Sequence, residues 1–251
     1  MKEILLSGKS ITKQFPGSPE PVLNGIDIDI YQGDFTVLMG SSGAGKSTLL
    51  YALSGMDRIT GGQVLFRGQE ISRYSENQMA RLRSEAFGFV FQQTHLVSNL
   101  TLLENVLVAG YVSKGQSAAQ VQVRARELLN RMHVEGAERR LPAQVSGGEA
   151  QRAAIARAMI HSPSLLFADE PTGALNRRNT DEVLDLLTGL NREGQSILMV
   201  THDVRCAARG NRILYVEDGA ILAERELPFY LPEHGREREE ELSAWLSSLN
   251  W

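Results

Sequence analysis

Five short stretches hold residues whose types and spacing could do chemistry. The first is GSSGAGKST at 40–48, where Gly40, Gly45, Lys46 and Ser47 fall in the pattern Gly-x4-Gly-Lys-Ser. Glycines at such spacing, with Ser41, Ser42, Gly43 and Ala44 between them, let backbone N–H groups turn inward around phosphate oxygens. A helix starting behind the loop, at about Thr48, adds a favourable dipole. Lys46 would neutralise charge on β- and γ-phosphates, and Ser47 would coordinate Mg2+. By itself this stretch points to a nucleotide phosphate and no further.

The second stretch is SLLFADEP, an apolar run ending in Asp169 and Glu170. Ligand chemistry in open α/β sheets sits at the carboxyl ends of buried strands. Asp169 there suits the Mg2+ shell, and Glu170, one residue beyond the strand, suits polarising an attacking water as general base. Two further runs end alike. VTHD brings His202 to a strand end, where an imidazole could touch a γ-phosphate and position the water, and Gln92 follows FGFVF, placed to sense Mg2+ and water. The fifth stretch, VSGGEAQR at 145–152, opens a helix through the capping box Ser146-x-x-Glu149. Its free N–H groups and the glycines Gly147 and Gly148 make a second phosphate reader. One chain has no evident way to fold both readers onto one nucleotide, so the expectation is two copies meeting head to tail, each closing over the ATP of the other.

These residues need particular elements to position them. The first quarter alternates apolar and polar residues, as in IDIDI at 26–30, and reads as short strands. From Phe35 the order is apolar strand, glycine loop, helix, as a nucleotide-binding α/β fold requires. The runs at 87–91, 164–169 and 196–201 are unbroken, as in parallel strands buried on both faces. Between about 94 and 160 helix starts replace strand signals. Thr101-x-x-Glu104 and Ser117-x-x-Gln120 match capping boxes, and Val121, Ala125, Leu128, Leu129 and Met132 form one apolar stripe. This predicts an all-helical insert in the α/β core. Asn179-x-x-Glu182 is then expected to open a helix lined by Val183, Leu187 and Leu190 and stopped at Gly194. Near the C-terminus Leu242, Trp245, Leu246 and Leu249 make an amphipathic stripe, open to packing on its own domain or to docking on a permease or membrane surface.

Composition narrows the classes. The 251 residues are 42% hydrophobic and 22% charged, ordinary for a globular protein, and no apolar run approaches the ~18 residues of a membrane span. MKEILLSGKSITKQF carries no expected signal peptide. Cys206 is the single cysteine, excluding an internal disulfide and fitting a reducing cytosol. A formal net charge of −4 without a basic stripe argues against a nucleic-acid partner, and REREEE at 236–241 reads as a solvated helix face.

Taken in order, these motifs resemble the nucleotide-binding subunit of an ABC transporter, and the likeness runs to about residue 225. It implies an α/β P-loop NTPase (RecA-like) core at about 1–93 and 160–225, with an N-terminal antiparallel β subdomain, an inserted helical subdomain at about 94–160, and a C-terminal helical extension at 226–251. It makes Gly40–Thr48 the Walker A loop, Asp169 the end of Walker B, Glu170 the catalytic glutamate, Gln92 the Q-loop residue and His202 the switch histidine. Phe15 resembles the aromatic that stacks on adenine, against the alternative of a core phenylalanine. Two positions depart from the pattern: Val145 and Glu149 replace the outer residues of Leu-Ser-Gly-Gly-Gln, and Asn176 stands where the D-loop has Asp. Glu149 turning back onto Ser146 would keep its carboxylate off a γ-phosphate.

DEPTGAL, GFVFQ and LTLLENV further resemble the ATPases of macrolide export, lipoprotein release and antimicrobial-peptide resistance. The resemblance implies ATP and Mg2+, a homodimer on the cytoplasmic face of the membrane, a permease with a large extracellular domain, and a sensor kinase reached through it. Export of antimicrobial peptides or other amphiphiles is the leading expectation, with lipoprotein release or cell division as alternatives in the group. A soluble ABC ATPase acting on nucleic acid or ribosomes is the rival class. The stretch between the two glycine motifs has no sustained heptads, against the coiled coils that DNA-acting relatives carry.

Overall fold

A computed structural model describes residues 2–112, 116–249 and 251. In chain order it holds β1 (Ile4–Lys13), β2 (Leu23–Tyr31), β3 (Phe35–Met39), α1 (Lys46–Leu53), β4 (Gly61–Phe66), β5 (Gln69–Glu70), α2 (Glu76–Ala86) and β6 (Phe87–Phe91). There follow α3 (Leu102–Gly110), α4 (Ala118–Arg131), α5 (Gly147–Ala158), β7 (Leu165–Asp169) and α6 (Arg177–Arg192). The chain ends with β8 (Ser196–Val200), α7 (Val204–Ala207), β9 (Arg212–Glu217), β10 (Ala220–Glu226) and α8 (Gly235–Ser247). It packs into two compact units, Met1–Met79 with Leu190–Trp251, and Ala80–Gly189.

In the first unit β2, β1, β4 and β5 form an antiparallel sheet, and β10, β9, β3 and β8 lie in that order. The middle strands are parallel: Leu38 of β3 faces Val200 of β8 on one side and Leu214 of β9 on the other. All five residues of β3 and of β8 are buried, which is why both read as unbroken apolar runs. Leu49, Leu50 and Leu53 of α1 are buried in the same unit. The stripe on α8 packs within this unit too, with Leu242 and Leu246 fully buried and Arg238 donating to the carbonyls of Pro228 and Gly210. Two of the four stripe residues, Leu242 and Leu246, thus pack on the chain's own body.

In the second unit β6 and β7 pair in parallel, and Phe87 and Phe89 meet Phe167 edge-on and stacked at 5.2 and 5.3 Å. No strand lies between residues 94 and 160 among those described. The capping boxes at Thr101 and Ser117 form as expected, because each needs only residues three apart. Val121, Ala125, Leu128, Leu129 and Met132 are buried as one stripe. One expectation is corrected: the helix anticipated at Asn179 begins at Arg177, because the side chain of Asn176 accepts the N–H of Asn179 at 3.0 Å. Asn and Asp cap equally well, so the departure at Asn176 keeps this helix start.

Candidate functional site

Each unit carries its own share of the chemistry-bearing residues, gathered at strand ends. In the first unit Gly40 follows β3 directly and His202 stands two residues beyond β8. The parallel register sends both turns out of the same sheet edge. Three glycines shape the loop: Gly40, Gly43 and Gly45 have φ of 153°, 84° and 96°, a region that L side chains rarely adopt. A Cβ on Gly40 would lie 1.9 Å from the carbonyl oxygen of Val216, whereas one on Gly43 would meet nothing within 4 Å. The backbone is thus forced at the base of the loop and open at its tip. Ser41, Ser42 and Gly43 are exposed. Gly45 stands at the N-cap of α1, and no side chain caps that helix. Lys46 is buried and its Nζ donates to the carbonyls of Gly40 and Ser41 at 2.9 and 2.7 Å, so the ammonium sits inside the curl of the loop.

The turn bearing His202 is built by its neighbours. Thr201 Oγ1 accepts the N–H of Asp203, and the Asp203 carboxylate caps α7 by accepting from Arg205 and Cys206. His202 is left exposed between them. Phe15 is 40% exposed, which removes the core alternative, and Lys13 Nζ lies 4.7 Å from its ring centroid. Lys13 is itself fixed by Asp57 and the carbonyl of Arg58, at 2.6 and 2.7 Å. The pair that fixes this cation was not legible in the sequence, since Lys13 and Asp57 lie 44 residues apart.

In the second unit Phe91 is registered opposite Asp169, so Gln92 and Glu170 leave neighbouring strands side by side. Glu170 has φ of 48°, an uncommon conformation for a residue with a Cβ. Its carbonyl accepts the N–H of Gly173 at 3.0 Å, closing the turn through Pro171 and Thr172. A Cβ on Gly173 would lie 2.8 Å from Gln92 Nε2, so the Gln92 carboxamide rests against the same turn that carries Glu170. No sequence signal announced that contact.

The turn at Ser146 forms the anticipated capping box. Ser146 Oγ accepts the N–H of Glu149 at 3.2 Å, and Glu149 Oε2 accepts from the N–H and hydroxyl of Ser146 at 2.8 and 2.7 Å. The backbone N–H and then the hydroxyl of Ser146 hold the Glu149 carboxyl below its ordinary range, with Arg152 and Arg140 adding to the effect. The carboxylate is therefore committed to its own helix start. The two glycines differ: a Cβ on Gly148 would meet the Asn179 side chain at 2.5 Å, so this residue serves the packing of α5 on α6, whereas Gly147 has only Leu175 nearby, at 3.5 Å.

A sequence model of the family described as ABC transporter matches residues 23–173. The chain belongs to the ABC transporter family. A macrolide export ATP-binding/permease protein, MacB 1/2, from Paracoccus denitrificans is 46% identical over 204 residues, 81% of this chain and 30% of that protein. MacB from Pasteurella multocida is 37% identical across 100% of this chain and 38% of its own length. The chain thus spans about a third of the length of these curated relatives. Among solved structures, an ATP-binding cassette captured as a dimer after hydrolysis, with ADP and Pi bound, superposes with a TM-score of 0.82 at 34% identity, covering 90% of this chain and 100% of that one. The protein cbiO1 from Clostridium perfringens, part of the ABC transporter complex cbiONQ, gives a TM-score of 0.81 at 26% identity, covering 90% of this chain and 89% of that one. As an ABC cassette the chain is an ATPase domain with an α/β P-loop fold, and its ligand is a nucleotide. No helix among the described residues is long and apolar enough to cross a membrane.

Proposed function

We propose that this cassette binds Mg-ATP between two copies of itself and hydrolyses it to drive a permease. The observation that carries the reading is the gathering of strand ends: the Lys46 loop beside His202 in one unit, and Gln92 beside Glu170 in the other. Gly40 to Thr48 hold the triphosphate, with Lys46 turned from its own carbonyls to the phosphate oxygens. Phe15 stacks on the adenine, its opposite face already backed by Lys13. Glu170 takes a proton from the attacking water, and His202 orients that water against the γ-phosphate. Ser146, Gly147, Gly148 and Glu149 of the second copy close the site, the helix start at Ser146 facing the phosphate.

The oxygen donors of Ser47, Asp169 and Gln92 suit a hard cation, and among the described residues no group of three or more His, Cys, Asp or Glu forms a protein-only metal cage. That fits Mg2+, which is usually held by one or two protein ligands together with substrate phosphates and water. The ion would supply charge neutralisation on the β- and γ-phosphate oxygens. The relatives named for macrolide export support a role in exporting macrolides, antimicrobial peptides or similar amphiphiles. They also support a permease partner at the cytoplasmic face of a membrane. A large extracellular domain on that permease, and a sensor kinase reached through it, complete the proposal.

Replacing Glu170 by Gln should trap an ATP-bound dimer and abolish turnover, and Lys46→Ala should remove hydrolysis. A Glu170→Gln protein that turns over ATP like its parent, or stays monomeric with ATP and permease present, overturns the assignment of the base.

A further inference from the structure

The helix opened by the Ser146 turn does more than present its N-terminus. Along α5, Gln151 is buried and its Nε2 donates to the carbonyl of Phe91 at 2.9 Å. Arg157, six residues further, donates from Nη1 to the carbonyl of His95 at 2.6 Å and from Nη2 to that of Thr94 at 2.7 Å. These three carbonyls lie on both sides of Gln92. One side chain anchors the strand end before it and the other anchors the segment after it.

The segment so held is bent. His95 has φ of 46°, a left-handed conformation that costs a residue with a Cβ roughly 1–2 kcal/mol. Its ring meets the edge of Phe91 at 5.3 Å. Burial pulls the Arg157 guanidinium below its ordinary range. An apolar side chain would pack the same helix without that desolvation cost. What a guanidinium adds is a planar fork able to bind two successive carbonyls at once. Arg152, on the same helix, is used differently: it pairs with Glu182 at 2.6 Å and bonds the carbonyl of Met132, so it ties helices together and leaves the Gln92 segment alone.

We infer that Arg157 and Gln151 are positioning residues for Gln92, clamping the backbone on either side of it so that the Ser146 turn and the Gln92 carboxamide move as one rigid piece. When the Ser146 turn docks on a nucleotide, Gln92 is carried with it. The inference rests on the role given above to Gln92 in hydrolysis, and it identifies what holds that side chain in register.

The test uses the full chain and compares Arg157→Lys, Gln92→Ala and the double variant. Lysine keeps the charge but reaches only one carbonyl. Arg157→Lys is expected to lower kcat about ten- to a hundredfold, as small misplacements of reacting groups do, with KM for Mg-ATP within about twofold. It should also speed hydrogen exchange at the amides of residues 93–96, which Gln92→Ala should leave unchanged. The double variant should be no slower than Gln92→Ala alone. Additive losses, or a rise in KM at unchanged kcat, overturn the clamp while leaving the role of Gln92 standing. A Gln92→Ala protein with parental turnover overturns that role and the clamp with it. Should Arg157→Lys fail to fold, Gln151→Leu in the same cycle gives the same decision from the other side of Gln92.

Discussion

Gly40→Ala is the sharpest perturbation of the phosphate loop. The new methyl would sit 1.9 Å from the carbonyl oxygen of Val216, where real contacts essentially never fall below 3.0 Å. The two must separate by about 1 Å, and Val216 cannot retreat freely because it is paired with Ile221 in the β9–β10 ladder. Three costs follow: about 1–3 kcal/mol for a side chain at φ of 153°, about 1–3 kcal/mol for overpacking, and about 1 kcal/mol for a weakened ladder hydrogen bond. The reduced freedom of the unfolded chain returns about 0.4–1 kcal/mol, leaving a destabilisation of about 2–6.5 kcal/mol. Gly43→Ala is the control. Its φ of 84° is also left-handed, but nothing lies within 4 Å of the added methyl, so about 1–2 kcal/mol is expected. Urea unfolding followed by tryptophan fluorescence measures both, since Trp245 and Trp251 lie in the same compact unit as the loop. If Gly40→Ala proves no more destabilising than Gly43→Ala, the contact with Val216 does not shape the loop and the reasoning fails.

Further outcomes follow from the helix starts and the C-terminal helix. Glu149→Gln keeps the capping geometry but loses the charge, and since the folded carboxyl is held below its ordinary range, its contribution is present above pH ~4.3 and fades as pH falls through the lowered value. The urea midpoints of parent and variant should therefore differ at neutral pH and converge in acid, whereas a constant gap would show that the carboxylate is not the cause. Asn176→Ala should cost about 1 kcal/mol through loss of the α6 cap while Asn176→Asp costs almost nothing, as read by paired denaturation curves. Leu246→Ala, at a fully buried position, should cost about 2–5 kcal/mol; a thermal midpoint equal to the parent's would mean that α8 is not packed as described.

Much of this was legible because the signals are local. A glycine loop between strand and helix, or a serine three residues ahead of a glutamate, needs only neighbouring residues to form, and Gly40–Ser47 and all three capping boxes took shape as read. The long apolar runs announced strands buried on both faces for the same reason, since every residue in such a strand faces a core. Other features escaped. Helix α2 is sparsely apolar and carries no strong period, and the hairpin of β9 and β10 turns on the adjacent pair Asp218 and Gly219, both at positive φ. The helix start assigned to Asn179 was misplaced by the competing cap at Asn176.

The sequence by itself determined which residue types could offer phosphate, metal and proton chemistry, the strand ends from which they emerge, and the order of elements along the chain. Tertiary structure decided how those residues are held. The oxygen of Val216 makes Gly40 obligatory, Lys13 lies under Phe15, Gly173 supports Gln92, and Arg157 grips the carbonyls of Thr94 and His95. The contacts of Val216, Gly173 and Arg157, and the Asp57 carboxylate that fixes Lys13, join positions far apart along the chain through a hydrogen bond or a van der Waals limit only a few ångströms long. Local propensity and periodicity extend over a few turns and have no access to such distances.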